Sequence, residues 1–198
     1  MNNKFSRRAV VASLAALTLP LPAFALSGSA AESLVNAAVA DINKIIASGK
    51  SERAMQSDFQ RVFERYADVN IIALTTLGPA RRSASKAEVS AFVKAFKGYF
   101  TRKYGKRFRE FTNAEISITK SKDLGKKGVI VETLIRTSVY APFPVEWWVI
   151  DDGRKRSFFD IIIEGVRLQS AERGEIRALL DRSGGSVSKL AATLNQLG

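Results

Sequence analysis

The chain has 198 residues, 31 Lys and Arg against 19 Asp and Glu, and neither histidine nor cysteine. Disulfide frameworks, thiolate nucleophiles, Cys/His zinc sites and histidine general bases are therefore excluded. A hydrophobic fraction of 46% fits an ordinary globular protein, the length favours one domain, and a formal charge of +12 points to an anionic partner: nucleic acid, an acidic protein or the anionic face of a bilayer.

The first 25 residues read as a cleaved secretory signal. Lys4, Arg7 and Arg8 precede an uncharged run from Ala9 to Leu19, and Pro20, Pro22 and Ala23-Phe24-Ala25 supply a small-x-small cleavage site. The run is well short of the ~20 residues of a spanning helix. Ser6-Arg7-Arg8-Ala9-Val10-Val11 also has the pattern of a twin-arginine signal, so both export routes stay open. Cleavage after Ala25 leaves 173 residues with 28 basic against 19 acidic side chains, a net +9 outside the cytoplasm. Nucleic acid is a poor partner there, and no Lys/Arg run interleaved with aromatics supports it. Without cysteines, stability in an oxidising compartment rests on the core alone.

Helices come first. Leu34, Val35, Ala38, Val39, Ile42, Ile45 and Ile46 recur at helical spacing from Glu32 to Ala47, and Gly49 ends the run. A second helix is predicted from Arg53 to Tyr66 with Phe59, Val62, Phe63 and Tyr66 on one stripe, and a short third from Ile71 to Leu77. After the Gly78-Pro79 break, Ser85 and Glu88 have capping-box spacing and open a helix carrying Val89, Phe92, Val93, Phe96, Tyr99 and Phe100.

Beyond Arg109 the period changes from 3.6 to 2. Ile116 and Ile118 alternate with Glu115, Ser117 and Thr119; Val131, Thr133, Ile135 and Thr137 oppose Glu132, Leu134 and Arg136 in a strand from Val129 to Tyr140; Val145, Trp147 and Val149 oppose Glu146, Trp148 and Ile150. Asp151-Asp152-Gly153 is a hairpin turn, and the last strand, Arg156 to Glu164, sets Phe159, Ile161 and Ile163 against Phe158, Asp160 and Ile162. One face is uncharged and the other carries Glu115, Glu132, Arg136, Glu146 and Asp160, as in an antiparallel sheet with one covered and one wet face. Closing helices are predicted at Arg167–Leu180 and Ser186–Leu197. The class is α+β, a single domain with helices packed on one face of a curved antiparallel sheet of about four strands.

For chemistry little is left. Asp160 and Glu164, near each other on the last strand, are the candidate carboxylate pair, but a polar strand face gives neither the burial that perturbs an acid. Ser51, Ser83 and Ser85 have no histidine partner and read as caps and turn residues; no glycine-rich phosphate loop occurs. No enzyme, metal or cofactor is implied. The distinctive feature is apolar excess where helices meet sheet, which either packs as core or walls a cavity.

Those residues resemble a family. Asp160-Ile161-Ile162-Ile163-Glu164-Gly165-Val166-Arg167-Leu168 is similar to the D-V-x-I-E-G-V-S-L segment of the MlaC/toluene-tolerance auxiliary proteins. Tyr66-Ala67-Asp68-Val69-Asn70-Ile71-Ile72-Ala73, Leu77-Gly78 with Arg82-Ser83-Ala84-Ser85, Phe92 with Ala95-Phe96, and then Arg173, Ile176 and Gly184-Gly185 before Leu190 and Leu194 follow in the family's order. Departures are Arg81, where the family often has an aromatic, and Arg167, where it often has Ser.

The resemblance implies a nuclear-transport-factor-like cone and a periplasmic phospholipid-binding component of the Mla ABC transport system. Such a carrier of a Gram-negative bacterium shuttles lipid between inner-membrane ABC transporter and outer-membrane lipoprotein complexes, and so maintains outer-membrane lipid asymmetry. Sterol, hopanoid or organic-solvent binding on the same scaffold is the alternative. The residues expected to hold acyl chains are Phe63, Tyr66, Phe92, Phe96, Tyr99, Phe100, Val131, Ile135, Trp147, Val149, Phe159, Ile161 and Ile163. Arg81, Arg82, Arg102, Lys103, Lys106, Arg107 and Arg109 form the densest basic region, expected to meet anionic headgroups or docking partners through transient membrane-surface contact.

Overall fold

Each helix begins where a short polar side chain can take an otherwise orphaned amide. Ser27 accepts from the Ala30 amide and opens α1 (Gly28–Ile46), Ser51 opens α2 (Glu52–Tyr66), and Asp68 accepts from the Ile71 amide to open α3 (Val69–Leu77). The capping box forms as expected at α4 (Lys86–Gly105): the Glu88 amide donates to the Ser85 hydroxyl while the Glu88 carboxylate accepts from the Ser85 amide. The computed structural model describes residues 26–198, the side chains of Phe108 and Arg109 excepted. The expected signal segment and Arg109's role in the basic region lie outside the described residues.

Strands β1 (Glu115–Asp123), β2 (Val129–Arg136), β3 (Phe143–Asp151), β4 (Arg156–Ile163) and the two-residue β5 (Val166–Arg167) pair in that order as one antiparallel, curved and unclosed sheet. Helices α5 (Leu168–Arg182) and α6 (Val187–Gln196) follow it. The architecture is the α+β single domain that the change of period implies, with five strands where about four were expected.

The extra strand comes from the turn. Glu164 and Gly165 both have positive φ, 49° and 81°, the requirement of a two-residue type I′ hairpin, so the chain folds straight back and Val166 pairs with Ile163. Gly128, at φ 97°, is fixed by a close approach: a Cβ there would stand 2.1 Å from the Val149 carbonyl oxygen.

A bulge corrects the expected face assignment in β4. Val149 pairs with Phe158 but Trp148 pairs with Asp160, so Phe159 is the extra residue and alternation shifts there. Phe158, expected on the wet face, is buried against the helices, its ring 5.2 Å from Trp147 and 6.2 Å from Tyr66.

The closed part of the core lies where α4 packs on α6 and where α1 covers the sheet. Phe92, Phe96, Val129, Val131, Val149, Leu190 and Leu194 have no measurable exposure. The buried Trp147 indole and Thr133 hydroxyl are satisfied, since Trp147 Nε1 donates to Thr133 Oγ1 (3.0 Å) and Thr133 donates to the Val145 carbonyl (2.9 Å). Helices α1 and α2 are tied together by Asp41, which accepts from Arg65 and from the Tyr66 hydroxyl, each at 2.8 Å.

Candidate functional site: an apolar cavity between helices and sheet

The helical layer does not fill the sheet's inner face along its whole length. Between α1, α2, the end of α4, the start of α5 and strands β1 to β4 lies a cavity of about 600 Å³, well inside the ~300–1,000 Å³ of small-molecule sites. Helix α1 contributes Ala38, Ile42 and Ile46, and α2 contributes Phe59, Val62, Phe63 and Tyr66. The sheet contributes Ile116 and Ile135 from β1 and β2, Phe143, Val145 and Trp147 from β3, and Phe158, Phe159, Ile161 and Ile163 from β4.

An aromatic relay builds the helical wall. Phe59 stacks on Phe63 at 6.3 Å, Phe63 on Phe100 at 4.4 Å, and Phe100 meets Tyr104 at 4.5 Å, the separations of favourable ring pairs. These rings brace one another from α2 and α4, so the wall is rigid before anything enters. The exposed members of the wall, Asn43, Arg107, Tyr140, Ala141, Ile163 and Glu164, mark the mouth.

Of the residues expected to hold acyl chains, the structure brings Phe63, Tyr66, Phe100, Ile135, Trp147, Phe159, Ile161 and Ile163 to this wall. It does not bring Phe92, Phe96, Tyr99, Val131 and Val149 there. The two phenylalanines and two valines are fully enclosed and Tyr99 is 2% exposed: α6 packs on α4, α1 covers β2, and the Tyr99 hydroxyl is bonded to Glu175 of α5. Periodicity identifies an apolar face and is blind to whether a partner covers it. Phe143 and Val145 were discoverable by stepping back in twos from Trp147, and Ile42 and Ile46 already stood on the α1 stripe; Phe158 was hidden by the bulge.

Polar groups interrupt the wall on its α4–α5 side. Glu172, 1% exposed, accepts from the Tyr104 hydroxyl (2.5 Å) and Lys103 Nζ (2.7 Å), both through Oε1. Lys103 also reaches the Glu175 carboxylate and the Tyr99 hydroxyl, and Tyr99 donates to Glu175 at 2.6 Å. Burial disfavours the charged forms, but the bonds among these groups outweigh it for Lys103, whose pKa is raised, and for Glu175, whose pKa is lowered. For Tyr99 and Tyr104, burial and the adjacent carboxylates both push the phenol pKa up.

Asp160 is not the solvated strand residue that alternation suggested. It is 5% exposed, accepts from the Ile161 and Gln169 amides (2.9 and 3.0 Å) and pairs with Arg167 at 2.7 Å. Helix α5 has no side-chain cap of its own, so this carboxylate supplies one from β4. Asp160 is thereby committed to structure, while Glu164 is exposed at the turn and lacks the burial that perturbs an acid.

The basic region also divides. Arg102 donates to the Leu194 and Leu197 carbonyls and Lys106 to the Gly198 carbonyl, Lys103 is engaged with the glutamates, and Arg107 stands at the mouth beside Glu110. Arg81 and Arg82 lie elsewhere, with Arg173 around a separate recess of about 170 Å³. Among the described residues no helix is long and apolar enough to cross a membrane, and no His/Cys/Asp/Glu group is placed to hold a metal ion.

No curated protein matches the chain. Its fold is similar to that of a phospholipid-binding protein from Ralstonia solanacearum, solved in complex with a phospholipid, at a TM-score of 0.73 and 17% identity over 84% of this chain and 95% of that one. The family model for the MlaC protein matches residues 33–196, and the chain belongs to the MlaC family.

Proposed function

We propose that this protein is a periplasmic carrier that holds a glycerophospholipid by its acyl chains in the cavity, with the headgroup at the mouth, and hands it between inner- and outer-membrane complexes of the Mla type to maintain outer-membrane lipid asymmetry. The observation that carries the reading is the cavity itself: about 600 Å³ of apolar space that the fold leaves open under braced aromatic walls. Family membership and the phospholipid bound by the Ralstonia protein support it.

The energetics suit a carrier. Each buried CH₂ is worth ~0.8 kcal/mol, so acyl chains supply the binding energy without any specific contact. A passive carrier needs no catalytic group, and its direction of transfer follows the affinity difference between donor and acceptor complexes. The signal-like first 25 residues support export.

The test is native mass spectrometry with lipid extraction on the mature protein, as purified and after incubation with phospholipid vesicles. Stoichiometric phospholipid supports the reading; no bound phospholipid in either condition contradicts it, and a sterol or hopanoid in its place identifies a different cargo.

A further inference from the structure

Away from the cavity, three arginines meet at the second recess. Helix α3 ends at Leu77, and the short 3₁₀ turn Gly78–Arg82 that follows brings Arg81 and Arg82 to its wall. Arg173 arrives from α5, which packs on α3, and its guanidinium lies over the turn: a Cβ added at Gly78 would stand 3.8 Å from Arg173 Nη2. Leu74, Thr75, Gly78 and Pro79 complete the wall. No acidic residue lines this space, and no residue lines both it and the cavity.

Three permanent cations around one recess repel one another, and arginine cannot relieve the repulsion by losing a proton. Among the described residues, none of the three donates a hydrogen bond or pairs with a carboxylate. The carboxylates of the surrounding elements are engaged elsewhere. Glu88 accepts from Ser85 and Ser188, Asp68 caps the far end of α3, and Glu172 and Glu175 hold Lys103. Asp181 stands more than two turns beyond Arg173 on α5, about 12 Å along the axis. The carbonyl end of α3 offers about half a negative charge, which three guanidiniums far exceed.

The excess calls for an anion, and the number of guanidinium forks selects its class. A carboxylate presents two oxygens. A terminal phosphate presents three, one for each arginine, and carries ~−1.5 to −2 of charge. Size agrees: about 170 Å³ is below the ~300 Å³ at which whole small-molecule sites begin. At ~30 Å³ per water it has room for roughly five or six water-sized atoms, which is a phosphate group.

We infer that Arg81, Arg82 and Arg173 form a binding site for a terminal phosphate, either free phosphate or the monoester headgroup of an anionic lipid at a membrane surface. The site stands whether or not the cavity carries lipid.

The mature protein is titrated by calorimetry with inorganic phosphate and, at the same ionic strength, with acetate. Phosphate should saturate the protein at least about ten-fold more tightly than acetate, and Arg173→Gln should weaken phosphate about ten-fold, the size of one hydrogen bond between charged groups. Arg82→Gln should do the same, and keeps the test readable if Arg173→Gln fails to fold. Lys122→Gln, which removes an exposed cation from β1, should change the affinity less than about two-fold. No saturation by phosphate, equal affinity for phosphate and acetate, or an equal loss in Lys122→Gln overturns the inference, the arginines then acting only as diffuse surface charge. Flotation with phosphatidylcholine vesicles containing phosphatidic acid separates the sources. Vesicle binding that Arg173→Gln abolishes identifies a lipid headgroup, and phosphate saturation without vesicle binding identifies a soluble phosphate. Phospholipid loading of the cavity should be equal in Arg173→Gln and the parent, and a loss of loading contradicts the separation of the two sites.

Discussion

The middle and the last two turns of α4 carry the same kind of aromatic stripe and come to different ends. Phe92, Phe96 and Tyr99, through the middle of the helix, are enclosed, with α6 packed against α4. Phe100 and Tyr104, in the last two turns, line the cavity, where α2 sets the stacked rings of Phe59 and Phe63 beside them. Residue type does not separate core from cavity; the presence of a covering element does. A protein that keeps one half closed and the other open can hold cargo without unfolding, since its stability resides where the cargo is not.

That division is open to attack by mutation. The largest effect should come from the closed half: Phe96→Ala, at a site with no exposure and ring contacts to Phe92, Tyr99 and Phe100, should cost about 3–5 kcal/mol in urea denaturation. Asp160→Ala should come next, at about 1–3 kcal/mol, because it strips the start of α5 of its acceptor and Arg167 of its partner. On the open side the response should reverse. Ile163→Asp, at a mouth position already 37% exposed, should shift stability by less than about 1 kcal/mol while lowering lipid occupancy about ten-fold, as a carboxylate there must be desolvated by the entering chain. A comparable loss of stability at Phe96 and Ile163 would dissolve the distinction.

The smallest effect is electrostatic. Although partial burial opposes it, the bonds from Lys103 and Tyr99 hold the folded pKa of Glu175 below its unfolded value, so its contribution is present above the ordinary carboxylate range near ~4.3 and is lost as pH falls through the folded value. Thermal melts between pH 7 and pH 3 should show a slightly shallower acid loss in Glu175→Gln than in the parent protein. An identical acid profile would place that contribution elsewhere.

Much of this was legible in the residues. The capping box at Ser85 and Glu88, the change of period after Arg109 and the turn at Gly153 place the elements because each is a local, steric or hydrogen-bonding fact. What escaped was non-local. The Phe159 bulge reverses the face of Phe158 only when β4 is laid against β3, and Asp160 looks like a wet strand residue until Arg167 and the Gln169 amide of α5 close over it. Val131 and Val149 share the alternation of Ile135 and Trp147, and only the placement of the helices sends the first pair into the core and the second to the cavity.

The two tryptophans allow the central claim to be tested in one measurement. Trp147 lines the cavity, whereas Trp148, next in β3, points to the opposite face, where its Nε1 donates to the Lys127 carbonyl at 2.7 Å and Arg167 lies over its ring. Phospholipid with brominated acyl chains should quench the fluorescence of Trp148→Phe, which retains Trp147, more strongly than that of Trp147→Phe, whose remaining Trp148 meets the wall only from behind Phe159, at 5.0 Å. Equal quenching of both variants, or none in either, would contradict an acyl chain held between the helices and the sheet.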